Sequence, residues 1–123
     1  MRIIIVFLCA SACIFVGVGC DQKGAPATPG APVGPPVGMV GESLSFLVVT
    51  TDPESDSVRY RVAWGDAIGD WTRFFASAES CTVGHTWFVR DTYAIKVRAE
   101  DAHNNLSEWS PGLVVSIESL CRR

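Results

Sequence analysis

From Met39 onward the chain alternates apolar and polar residues with a period of two. Leu44, Phe46 and Val48 alternate with Ser43, Ser45 and Leu47, and Val58, Tyr60, Val62 and Trp64 alternate with Arg59, Arg61 and Ala63. The sharpest case is Tyr93, Ile95, Val97 and Ala99 against Ala94, Lys96, Arg98 and Glu100. Successive side chains on a strand point to opposite faces, so this pattern predicts half-buried strands with an apolar face inward and a charged face to water. Asp52-Pro53-Glu54-Ser55-Asp56, Gly65-Asp66-Ala67 and the stretch from Asp101 to Asn105 punctuate the pattern with turn chemistry. Seven strands are predicted, near 32–37, 43–51, 57–65, 71–76, 79–87, 92–100 and 112–119. They make an all-β, immunoglobulin-like two-sheet sandwich over 38–120, followed by a tail at 121–123. Its core is expected to hold Leu44, Phe46, Tyr60, Val62, Trp64, Val83, Trp87, Ile95, Val97 and Val115, with Trp109 covering one end.

The N-terminus follows a different rule. Arg2 precedes an uncharged apolar run from Ile3 to Cys20 that stops at Asp21. The run is slightly shorter than the roughly 20 residues of a spanning helix and ends in the small residues Gly17-Val18-Gly19-Cys20, the layout of a cleaved signal peptide over 1–19. Val18-Gly19-Cys20 followed by Asp21-Gln22-Lys23 resembles the lipobox of bacterial lipoproteins. That resemblance implies diacylation of Cys20, secretion across the inner membrane and anchoring at the cell envelope. More than one acyl chain makes such anchoring stable. Between Cys20 and residue 37 stand Pro26, Pro29, Pro32, Pro35 and Pro36, interleaved with glycines. Proline fixes φ and donates no hydrogen bond, so 20–37 is expected to be an extended linker, about 3 Å per residue, that lifts the domain off the membrane.

Composition adds mainly exclusions. The 123 residues leave room for one core. Ten basic against thirteen acidic side chains, a net charge of -3, give none of the basic footprint that nucleic-acid binding needs. His85 and His103 are the only histidines and lie at no zinc-ligand spacing. The chain has no phosphate-binding Gly-Lys-Ser loop and no Gly-x-Ser-x-Gly nucleophile elbow. Neither an enzyme nor a cofactor is expected.

Three motifs then stand out in order. Trp64-Gly65-Asp66, His85-Thr86-Trp87 and Asp91-Thr92-Tyr93 resemble the Phe-Gly-Asp-Gly, His-Thr-Tyr and Gly-Thr-Tyr pattern of polycystic-kidney-disease (PKD) domains. The segment from Val97 to Asp101, with Asn105, Ser107, Trp109 and Ser110, resembles bacterial fibronectin type III repeats. Both resemblances imply the sandwich fold and a non-catalytic role on a secreted or surface protein, as an adhesion or partner-binding module or as a structural spacer. Asp66 is read as a turn cap, His85 as a hydrogen-bonded core histidine and Tyr93 as a tyrosine corner.

Two candidate sites follow. Trp71, Phe74 and Phe75 would form a sugar-stacking platform for a glycan or protein partner if they lay flat on the surface. The loops after the second and sixth strands share a pole, which brings Asp52, Glu54 and Asp56 towards Glu100 and Asp101. Oxygen clusters of this kind can hold calcium. Because Pro53 and Ser55 leave no recognised calcium-loop spacing, the favoured reading has Asp52 and Asp101 bonding their own turns, with no metal. Cys81 and Cys121 are expected at opposite poles, too far apart for a disulfide.

Overall fold

The computed structural model describes residues 24–119. The expected signal peptide over 1–19, Cys20 and Cys121 lie outside the described residues. Six strands form: β1 (Val37–Met39), β2 (Ser43–Val48), β3 (Val58–Ala63), β4 (Cys81–Thr86), β5 (Asp91–Asp101) and β6 (Leu113–Glu118). One sheet has the order β1-β6-β5-β3 and the other pairs β2 with β4. All pairings are antiparallel except β1 with β6. The period-two pattern maps directly onto burial: Leu44, Phe46 and Val48 point inward from β2, Val58, Tyr60 and Val62 from β3, and Tyr93, Ile95, Val97 and Ala99 from β5. These side chains meet Trp64, Cys81, Trp87, Val115 and Ile117 between the sheets, with Val83 packed against them.

Two of the seven expected strands are altered, each for a local reason. The first, expected at 32–37, divides between the sheets. Val33 exchanges both backbone bonds with Leu47 of β2, at 2.9 and 2.8 Å. Pro35 and Pro36, which have no N–H to give, carry the chain across. Ser116 N–H then donates to Pro36 C=O at 2.8 Å and β1 runs beside β6. Gly38 lets the chain pass close to β2 at this crossing, since a Cβ there would stand 2.4 Å from Leu44 Cδ1 and push that buried side chain aside. The strand expected at 71–76 is only a bridge between Phe75 and Val58. Beyond that bridge the Thr72 hydroxyl, rather than a carbonyl, accepts the Tyr60 N–H at 3.0 Å, and the regular ladder ends.

The proline-rich segment is extended, as its composition requires, but from residue 24 it lies on the domain instead of standing away from it. Pro26, Pro29 and Pro32 are buried. Ala27 N–H donates to Thr51 C=O at 2.9 Å, and the Thr50 hydroxyl donates to Ala27 C=O at 2.6 Å. The loop joining β2 to β3, the start of β4 and the end of β5 share one pole with this segment. The end of β6 lies at the other.

Candidate functional site

The outward side chains of the four-stranded sheet build a face that strand register makes specific. Arg59 stands opposite Glu100, Arg61 opposite Arg98 and Ala63 opposite Lys96. Arg59 bonds Glu100 through Nε at 2.8 Å and Nη2 at 2.7 Å. Its guanidinium carbon also sits 5.2 Å from the Trp71 ring centre and 5.0 Å from that of Phe74. Arg61 lies 4.9 Å from the Trp71 ring, and Arg98 lies 5.0 Å from the Trp109 ring. The result is a row across the sheet in which Trp71, Arg61, Arg98 and Trp109 follow one another. Cation–π contacts of this kind contribute about 0.5–1 kcal/mol each at exposed sites. Against them stand the like charges of Arg61 and Arg98, which oppose strand pairing. Arg61 Nε is buried and without a hydrogen-bond acceptor among the described residues, a condition that costs about 1–3 kcal/mol.

This geometry revises three expectations. Trp71, Phe74 and Phe75 do not form a bare stacking platform, because guanidinium groups already lie over the rings. Arg73 sits 3.8 Å from the Phe75 centre, and Phe75 packs on Tyr60 with centroids 6.2 Å apart. Trp109 does not close an end of the core; it flanks the outer face under Arg98. Glu100 does not join the acidic pole. Consecutive strand residues point to opposite faces, so Glu100 turns to Arg59 while Asp101 turns inward.

The segment that carries Trp109 is held by two serines. β6 covers β5 only along Asp91–Ile95. Past that point the Val97 N–H donates to Ser110 Oγ at 3.0 Å, and the Ala99 N–H to Ser107 Oγ at 2.9 Å. The serine N–H groups return bonds of 2.8 Å to the Val97 and Ala99 carbonyls. Arg98 then clasps Ser107 C=O through Nε and Nη2, at 3.2 and 2.8 Å. An edge that β6 leaves uncovered is thereby satisfied without a strand.

At the loop pole, four of the five acidic candidates converge. One oxygen each of Asp52, Glu54 and Asp56 lie within 4.8 Å of one another, and so do ligand atoms of Asp56, Asp101 and His103. These are the groups that could hold a cation. Their hydrogen bonds are those of turn caps: Asp52 Oδ2 accepts the Glu54 and Asp56 N–H groups at 2.9 and 3.2 Å. Asp101 Oδ1 accepts the N–H groups of His103 and Asn105 at 2.8 and 2.9 Å, and its Oδ2 accepts Asn105 Nδ2 at 3.1 Å. Burial works to raise the Asp101 carboxyl, but the Asn105 and His103 donors and the nearby His103 charge outweigh it and hold the group below its ordinary value. His103 Nδ1 lies 3.0 Å from Asp56 Oδ2. Asp52 Oδ1 is buried and accepts no hydrogen bond among the described residues.

The opposite pole gathers the three sequence motifs. His85 stacks on Trp64 at 4.6 Å and meets the Trp87 ring edge-on at 4.7 Å. Its Nε2 lies 3.0 Å from Asp66 Oδ1, and Trp87 Nε1 donates to Trp64 C=O at 3.2 Å. Gly65, at φ +95°, brings the turn against Tyr93, where a Cβ would stand 3.0 Å from the tyrosine Cβ. Tyr93 closes the corner by donating its hydroxyl to Val89 C=O at 2.6 Å. Burial, followed by the Asp91 and Asp66 charges, raises the Tyr93 phenol above its ordinary value. These residues act as one packed unit, with His85 bonded and stacked inside it.

A solved PKD domain, that of an M14-like peptidase from a Thermoplasmatales archaeon, matches the chain with a TM-score of 0.72 at 33% identity, over 79% of this chain and 99% of that one. The chain belongs to the PKD-domain family. Two further solved structures share the fold. A CARDB domain from Pyrococcus furiosus, in complex with di-metal ions, has a TM-score of 0.56 and 16% identity over 80% of this chain and 99% of that one. A superoxide reductase (neelaredoxin) from Ignicoccus hospitalis has a TM-score of 0.53 and 7% identity over 76% and 82%. The sequence matches no family model and no curated protein. Within this PKD domain, the row of arginines and tryptophans is what sequence reasoning missed. The available signals were the Ser107-x-x-Ser110 spacing around Trp109 and the outward arginines at positions 59, 61 and 98.

Proposed function

We propose that this PKD domain is a non-catalytic, membrane-tethered extracytoplasmic module that binds a protein or glycan partner. The observation that carries the reading is the outer sheet face, where Arg61 and Arg98 sit side by side between Trp71 and Trp109. Placing like charges together works against the fold, and a partner of opposite charge relieves the conflict. The lipobox-like sequence at Cys20 supplies the tether. With residues 24–34 lying on the domain, only Asp21, Gln22 and Lys23 separate Cys20 from it. At no more than about 3.6 Å per residue, the acidic pole would then stand close to the lipid, with the sheet face directed sideways.

A second reading, a structural spacer without a ligand, draws support from the guanidinium groups that cover the aromatic rings. In that case the row would serve only to stitch β3, β5 and the 107–110 segment together. A screen of the full chain against extracytoplasmic proteins and a glycan panel separates the two. The module reading expects a partner whose binding is weakened by substitutions at Arg61 or Arg98, and binding to nothing in either panel would refute it.

A further inference from the structure

We propose that the outer face of β3 and β5 binds a carboxylated polysaccharide, with Arg61 and Arg98 holding its acid groups. This rests on the interaction reading above and names its partner class. Arg59, Arg61, Lys96 and Arg98 share the face with one carboxylate, Glu100, which Arg59 already engages. Neighbouring strands are about 4.8 Å apart, so Arg61 and Arg98 form a doubly charged centre with Lys96 next along β5. Among the described residues the Arg61 side chain makes no hydrogen bond or ion pair, and neither does that of Lys96. Arg98 directs Nε and Nη2 to Ser107, which leaves Nη1 for a ligand. The whole chain carries a net charge of -3, so a polyanion is repelled by the molecule at large and attracted to this face.

The tryptophans hold the guanidinium groups in place, and a planar guanidinium takes a carboxylate through two parallel hydrogen bonds. The uncharged neighbours on the face are Ala63, Ala94 and Thr92. Protein partners concentrate affinity in large buried anchors, and here the large rings are already covered by arginine. A linear polymer with repeated carboxylates needs no such anchor, because several charge-assisted contacts along a flat sheet supply its affinity.

Affinity electrophoresis of the full chain in non-ionic detergent, with polygalacturonate, dextran or poly-glutamate in the gel, tests the proposal. Polygalacturonate is expected to retard the protein, dextran to leave it unaffected and poly-glutamate to act more weakly. The retardation should fade as salt rises from about 50 to about 500 mM. Arg61→Gln should weaken binding about tenfold, the scale of a lost charge-assisted contact. Lys96→Glu lies outside the stacked row and should weaken binding without moving the melting midpoint, which keeps the test sound if Arg61→Gln disturbs the fold. No retardation by polygalacturonate, equal retardation by poly-glutamate, or binding unchanged in both variants would overturn the proposal. Capture of a neutral glycan or a protein instead would overturn it while leaving the module reading intact; binding to no partner of any class would remove both.

Discussion

Replacing Asp101 tests whether the acidic pole is built to hold turns or to hold a cation. The residue is fully buried at the end of β5. Its carboxylate accepts two backbone N–H groups, from His103 and Asn105, and the Asn105 side-chain amide. Hydrogen bonds to a charged acceptor contribute about 1.5–3 kcal/mol each. Three of them do not add, because they share one acceptor group. The turn also borders solvent at Ala102, His103 and Asn104, so water can satisfy part of what is lost. Asp101→Ala is therefore expected to cost about 3 kcal/mol. Asp101→Asn keeps an acceptor for the backbone donors but loses the charge and turns an amide towards Asn105 Nδ2, so it should cost about half as much. The sign of the pH dependence follows from the carboxyl's lowered folded-state value against an ordinary 3.8. The stabilisation is fully present above the unfolded value and is lost as pH falls through the folded one. The gap between wild type and Asp101→Ala should thus be widest near neutral pH and narrow below about pH 4. Urea unfolding with a common m value, in chelator at pH 7 and again in acid, measures it. A cost below about 0.5 kcal/mol in chelator, an asparagine variant as damaged as the alanine one, or a gap indifferent to acid would refute the reasoning. A large cost that appears only with calcium present would reassign Asp101 as a ligand.

Ala78 adopts φ +73° in the turn before β4, a left-handed conformation costing a residue with a Cβ about 1 kcal/mol; Ala78→Gly should raise stability by about 0.5–1 kcal/mol, and a lowered urea midpoint would contradict that. Ser107→Ala strands the buried Ala99 N–H and should cost about 1–2 kcal/mol, with faster amide exchange at Ala99 as its signature; unchanged exchange there would show that the serine stitch is dispensable. Cys81 is a buried free thiol whose pKa burial raises, Arg73 and Glu79 acting in opposite directions as lesser causes. Alkylation at pH 8 should therefore be slow in the folded protein and complete in urea, and rapid labelling of the folded protein would show the site to be open. Mass spectrometry of the mature protein should find diacylated Cys20 at its terminus; any other terminus would remove the proposed anchor.

What could be read from the sequence was whatever one face of a sheet imposes on its own strand. β5 announces itself because every inward position from Tyr93 to Ala99 is apolar while Lys96, Arg98 and Glu100 face out, and that rule needs no knowledge of neighbours. The 71–76 segment looked equally strand-like, yet its fate turned on one hydroxyl, that of Thr72, taking a bond that a carbonyl would otherwise accept. The prolines declared an extended path but not where it runs, since docking of Pro26, Pro29 and Pro32 depends on surfaces contributed by residues far along the chain. Glu100 and Asp101 mark the same boundary: grouping them by sequence put both at the pole, whereas strand alternation sends one to Arg59 and the other inward.

The proposed binding face was hidden for a related reason. Outward arginines on β3 and β5 read as ordinary solvated charge, and each taken alone would be. Their arrangement depends on register, which sets Arg61 across from Arg98, and on two flanking segments that deliver Trp71 and Trp109 to the ends of the row. Neither flank is a strand, so neither obeys the period that made the rest legible. Thr72 holds one and Ser107 with Ser110 holds the other, each by side-chain bonds that leave the backbone irregular. The same substitution of hydroxyls for ladder partners that ends the regular sheet thus places aromatic rings against its outer face. That is why the part of the molecule carrying the proposed function is also the part that pattern alone did not reveal.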